Sequence, residues 1–103
     1  MYSTDAQMVV LTVLADGPRH GYAINAAIET LTGRKLGPGS LYGALTRLEA
    51  RGLIEPVADG ADGQERQRTM RITEAGRTSL RAELEQLSRV TQAGLRALGV
   101  EPA

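Results

Sequence analysis

The segment Gly37–Val57, GPGSLYGALTRLEARGLIEPV, restricts the fold more than any other part of the chain. Leu41, Ala44, Leu45 and Leu48 recur at helical spacing, and the helix they predict stops at Gly52. It passes directly into Leu53–Val57, a strand in which Pro56 marks an edge or an end. At about 100° per residue, the opposite side of the helix carries Gly39, Gly43, Thr46, Arg47 and Ala50. Small residues, a hydroxyl and one guanidinium stand where a solvated face would carry Glu and Lys. A helix that lies deep in a groove needs such a surface, because bulk there would hold its backbone away. The DNA major groove is the one expected.

The flanking segments supply a frame for this helix. Before it, Ile24, Ala27, Ile28 and Leu31 form one face of a helix predicted over about Gly21–Leu31, with Tyr22 on the far side and Gly33 at its end. The connection holds Arg34, Lys35 and Pro38, and Ser40 is expected to open the next helix. Two short helices joined through Gly and Pro make a helix-turn-helix pattern. After it, Asp59–Glu65 reads as a turn, and Arg66–Ile72 alternates with Met70 and Ile72 on one side. With Leu53–Val57 this makes a β-hairpin, a wing.

The two ends of the chain point to a second copy. Thr4 and Gln7 have capping-box spacing ahead of Met8–Leu14, which is apolar nearly all round and is stopped by Gly17-Pro18. A domain this small is expected to need a partner to cover such a helix. Thr73 and Glu74 start a last helix reaching about Leu98, in which Leu80, Leu84, Leu87, Thr91, Gly94 and Leu98 follow heptad spacing. Gly76 and Gly94 are each expected to weaken it by about 1 kcal/mol relative to Ala. Gly94 on the seam would let two helices approach closely.

The fold class expected is therefore mainly α with a small β-hairpin: a winged helix-turn-helix over residues 1–76 and a C-terminal dimerisation helix and tail over 77–103. At 103 residues the two form one compact unit. The chain has no cysteine and one histidine, His20, so no metal site or cofactor is expected. No apolar run approaches the roughly 18 residues of a membrane span and no signal peptide is evident, so the expected location is the cytoplasm. Neither a Ser/His/acid set nor a phosphate loop is present, which argues against an enzyme. Net charge is zero, but Arg66, Arg68, Arg71, Arg77 and Arg81 are opposed within their stretch by Glu74 alone. That distribution allows a basic face.

Residues 17–24, GPRHGYAI, residues 39–54, GSLYGALTRLEARGLI, and residues 68–77, RTMRITEAGR, together resemble the PadR family of transcriptional regulators, in its short form with a single C-terminal helix. Gly17-Pro18-Arg19-His20-Gly21-Tyr22-Ala23-Ile24 is similar to the family's G-P-x-H-G-Y-x-I. Residues 39–54, GSLYGALTRLEARGLI, are similar to G-[ST]-L-Y-P-A-L-x-R-L-E-x-x-G-L-I, with Gly43 where proline is usual. Residues 68–77, RTMRITEAGR, are similar to K-Y-Y-x-[LI]-T-x-x-G, with Thr69-Met70 where an aromatic pair is usual. The resemblance implies a dimeric repressor that sets its third helix in the major groove of a palindromic double-stranded operator and is relieved by a small-molecule effector. With no Trp or Phe, stacking of a flat effector on indoles at the dimer centre is removed. A cavity lined by Met8, Val9, Leu87 and Val90 is the alternative place for an effector.

On this reading Ser40, Gly43, Thr46 and Arg47 face the bases, since Arg bonds guanine bidentately and hydroxyls serve several bases. Tyr22, Arg34, Lys35, Tyr42, Arg66 and Arg68 are expected at the DNA backbone. The competing assignment for Arg47 is an ion pair with Glu49 or a wing carboxylate, and for His20 a turn or capping role. Met8, Val9, Leu84, Leu87, Thr91, Gly94 and Leu98 are expected at the homodimer interface. The rival function is a winged-helix protein–protein interaction module that does not read DNA directly.

Overall fold

Helix α1 (Ala6–Leu14) is the centre of the molecule, a position its largely apolar sequence, broken only by Gln7 and Thr12, demands. The computed structural model describes residues 5–57 and 68–100. Around α1 pack α2 (Gly21–Thr32), α3 (Pro38–Ala50), the strand β3 (Thr69–Ile72) and α4 (Glu74–Ala97), and Val10, Leu11 and Leu14 are fully buried. The chain thus covers α1 by itself, and the expected need for a second copy there is corrected. Nine residues of helix are short enough for three helices and a strand to enclose. The cap is corrected too: Asp5 accepts the Gln7 N–H at 2.9 Å, a carboxylate at the positive helix end, while Thr4 lies outside the described residues.

Arg19 closes the other end of α1. Its Nε donates to the Val13 carbonyl at 3.1 Å, and its guanidinium pairs with Asp16 at 3.6 Å. This engages a carbonyl that the helix end leaves open. Arg19–His20 also forms a two-residue strand, β1, antiparallel to β3 with Arg19 opposite Met70 and His20 opposite Thr69. No strand is expected there from sequence, because two residues carry no periodicity. The sheet has the order β1-β3-β2, with β2 (Ile54–Pro56) on the edge, where proline's missing N–H costs nothing. Met70 and Ile72 point into the core and Arg71 points out, where it pairs with Glu55 opposite at 2.8 Å.

Ile24 and Ile28 bury one side of α2, but Leu31, expected on the same face, is 56% exposed because the helix has by then passed the core. Gly33 ends α2 in the left-handed conformation, φ 88°. The following turn is held from within. Asn25 Nδ2 donates to the Leu36 carbonyl at 2.8 Å, and the Leu36 N–H donates to Asn25 Oδ1 at 2.9 Å. Helix α3 then opens at Pro38 rather than Ser40, since proline's fixed φ and absent N–H suit the first helical position. It ends in a Schellman motif: Leu53 N–H reaches the Leu48 carbonyl at 2.9 Å, Gly52 N–H the Glu49 carbonyl at 3.0 Å, with Gly52 at φ 74°.

Helix α4 starts at the Thr73 cap, whose hydroxyl accepts the Gly76 N–H at 3.0 Å. Gly76 corrects an expectation. A Cβ there would run into the Leu53 carbonyl oxygen and stand 2.7 Å from Ile72 Cγ1, so glycine is what lets α4 sit down. Leu80 completes the core; beyond it, Leu84, Leu87 and Leu98 of the seam lie exposed in the single chain.

Candidate nucleic-acid interface

Burial of Leu41, Ala44 and Leu48 against the core fixes how α3 is turned about its axis. Ser40, Thr46, Arg47 and Ala50 are thereby exposed together with Gly39. Gly43 lies half-buried among them: Arg47 Nη1 is 3.3 Å from where its Cβ would be, so the guanidinium folds back along the helix over bare backbone. That direction is the one helical side chains take, toward the preceding turn. Arg47 has no ion-pair partner among the described residues. Glu49, two residues on and one of the two partners expected for it, pairs instead with Arg68 of the wing at 3.0 Å. Among the described residues, the positive charge on the outward face of α3 has no acidic partner; the expected turn Asp59–Glu65, with its carboxylates, lies outside them.

Between α3, the start of α2 and the wing lies a cleft of about 410 Å³, lined in part by Tyr42, Thr46, Glu49, Arg68 and Met70. Tyr42 stands half-exposed at its edge, and Tyr22 at the start of α2 is 82% exposed. Arg34 and Lys35 are exposed in the turn ahead of α3. Arg68 joins wing to helix through Glu49, a role not expected from sequence. Arg66 lies outside the described residues. His20 takes the N-cap position of α2 with extended backbone and no side-chain cap bond.

The expected dimer residues divide into two sets. Val9 is only 5% exposed in the single chain, so almost none of it is left to face a partner, and Met8 is half-buried. Leu84, Leu87, Thr91 and Gly94 on α4 and Leu98 at its C-cap are all exposed. Two further residues escape sequence reasoning. Asn25 holds the turn, and Arg51 Nη1 donates to Gln7 Oε1 at 2.6 Å, tying the end of α3 to the start of α1. A polar side chain beside the buried Ile24 and Ile28 was the available signal for Asn25. Its partner eleven residues on was not.

Among the described residues no three His, Asp or Glu side chains are grouped to hold a metal ion, and no helix is long and apolar enough to cross a membrane. A helix-turn-helix whose second helix presents a small, cationic face beside a three-stranded antiparallel sheet is a winged helix-turn-helix, the architecture of DNA-binding transcription regulators. The family model for the Transcriptional regulator PadR-like family matches residues 10–82, and the chain belongs to that family, one of regulators rather than enzymes.

A Streptomyces fradiae protein, the uncharacterized 37.1 kDa protein in transposon TN4556, is 54% identical over 91 residues, covering 88% of this chain. The chain spans only 25% of that protein's length. Transcriptional regulator Rv3488 of Mycobacterium tuberculosis is 38% identical over 88 residues, covering 82% of this chain and 80% of the relative. Among solved structures, a transcriptional regulator from Clostridium thermocellum superimposes with a TM-score of 0.74 at 26% identity, covering 93% of this chain and 97% of the other. H. salinarum RosR gives 0.68 at 31% identity, covering 84% and 76%.

Proposed function

We propose that the chain acts as a dimeric, sequence-specific regulator that binds a palindromic double-stranded operator. In this reading residues 1–76 bind DNA and residues 77–103 pair two copies. The observation that carries it is the outward face of α3, where exposed Ser40, Thr46 and Arg47 share a surface with Gly39, Gly43 and Ala50. Those three side chains and the bare Gly43 backbone meet base edges. Tyr22, Arg34, Lys35, Tyr42 and the wing arginines Arg66 and Arg68 meet phosphates, with Arg68 also held by Glu49. The exposed stripe of Leu84, Leu87, Thr91 and Gly94 on α4, continued by Leu98 at its C-cap, supports pairing through a heptad seam. Repression relieved by a small molecule completes the reading and rests on the family resemblance.

The test is a mobility-shift titration against DNA upstream of the chain's own gene and against genomic fragments. Affinity should fall about 10³-fold or more between 50 and 200 mM salt for a dimer neutralising roughly six or more phosphates. Absence of any shift at low salt on all of these DNAs overturns the reading. Capture of a protein partner with no DNA binding establishes the interaction module instead.

A further inference from the structure

Helix α4 leaves the winged domain from the very turn that ends the recognition helix, and the two are joined there by backbone groups. Thr73 N–H donates to the Leu53 carbonyl at 3.0 Å. The Thr73 hydroxyl donates to the Gly52 carbonyl at 2.8 Å and accepts the Gly76 N–H at 3.0 Å, using its one donor and one of its two lone pairs. Gly52 and Leu53 are the two residues that close the Schellman turn of α3. Gly76, buried and without a side chain, lets the first turn of α4 rest on the Leu53 carbonyl. One hydroxyl thus caps α4 and grips the end of α3 at once.

We propose that Thr73 and Gly76 are positioning residues that fix the angle between the recognition helix and the dimer helix, and so set the half-site spacing the dimer accepts. The inference rests on the dimeric DNA-binding reading above. Leverage makes the joint matter. The 13 residues of α3 span about 20 Å, at about 1.5 Å per residue. A rotation of about 10° at its C-terminal end would carry its N-terminus about 3.5 Å, close to the base-pair rise of about 3.4 Å. Half-site spacing in dimeric helix-turn-helix proteins follows from the separation of the recognition helices. A joint that yields by this much would let one dimer accept neighbouring spacings.

The test uses the full chain and DNA selected by it from a random pool, with the spacer between half-sites then lengthened or shortened by one and two base pairs. Thr73→Ser keeps the hydroxyl. Thr73→Val removes both of its bonds, and Thr73→Asp keeps a strong cap acceptor but loses the donor to Gly52. Sedimentation and thermal melting establish that each variant is a folded dimer. Wild type and Thr73→Ser should share one optimal spacing. Thr73→Val and Thr73→Asp should bind that spacing about tenfold more weakly while losing less than threefold on its neighbours, so that the preference flattens. Thr73→Asp carries the test even where Thr73→Val does not fold. Equal loss at every spacing, or an unchanged profile in folded, dimeric Thr73→Asp, overturns the joint and leaves DNA binding standing. A wild-type chain that is monomeric, or that selects no DNA, overturns the underlying reading as well.

Discussion

Replacing Gly76 by alanine sets two effects of similar size against each other. In an unencumbered helix the change stabilises by about 1 kcal/mol, because glycine loses more backbone entropy. Here the new Cβ meets the Leu53 carbonyl oxygen, and stands 2.7 Å from Ile72 Cγ1 and 3.1 Å from the Leu53 carbonyl carbon. Two of these three atoms are backbone and cannot swing aside. Relief requires α4 to lift from the Gly52–Leu53 turn, which overpacks or opens the buried contact at about 1–3 kcal/mol. It also strains the Thr73–Leu53 hydrogen bond, worth about 1 kcal/mol. The steric terms win, leaving a net loss of about 1–3 kcal/mol. For a domain of this size each kcal/mol moves the melting midpoint by about 4–8 °C. Circular dichroism melts at fixed protein concentration should therefore show a drop of about 5–20 °C. A midpoint equal to wild type or higher would refute the close approach and restore Gly76 to the role of a helix-weakening residue.

Three further outcomes follow from the same structure. Asn25→Ala strips the partner from both the N–H and the carbonyl of Leu36 and should cost about 1–3 kcal/mol in urea unfolding; a loss below about 0.5 kcal/mol contradicts the bracket. Arg47→Ala should relax preference at one base pair and cost about 1–3 kcal/mol on the selected operator, read by competition titration. Equal loss on random DNA would mark Arg47 as a phosphate contact. Leu87→Glu places a charge on the exposed stripe of α4, so sedimentation should show monomers with an unchanged circular dichroism spectrum. Dimers that persist would place the interface elsewhere.

Much of this molecule is written in local patterns. The buried faces of α2 and α3 follow from the spacing of Ile24 with Ile28 and of Leu41, Ala44 and Leu48, because a helix brings such residues to one side whatever surrounds it. Gly33 and Gly52 end their helices in the left-handed conformation that only glycine adopts cheaply, and Pro56 lies on an edge strand as its missing N–H requires. The small outward face of α3 was legible for the same reason as its buried face. Both are one periodicity read from two sides.

What tertiary structure alone decided involves partners distant in sequence. Strand β1 exists because Arg19 and His20 meet Met70 and Thr69, and two residues have no pattern of their own. Glu49 turns to Arg68 rather than Arg47, which leaves the α3 guanidinium without an acidic partner among the described residues, and nothing in the spacing of three charged residues decides between those pairs. The apolar ring of α1 announced burial but not by what; its own chain closes around it. Gly76 shows the limit most plainly. By propensity it is a defect in a helix, and by position it is the seat on which that helix rests, because the Leu53 carbonyl that makes the difference is brought beneath it only by the fold.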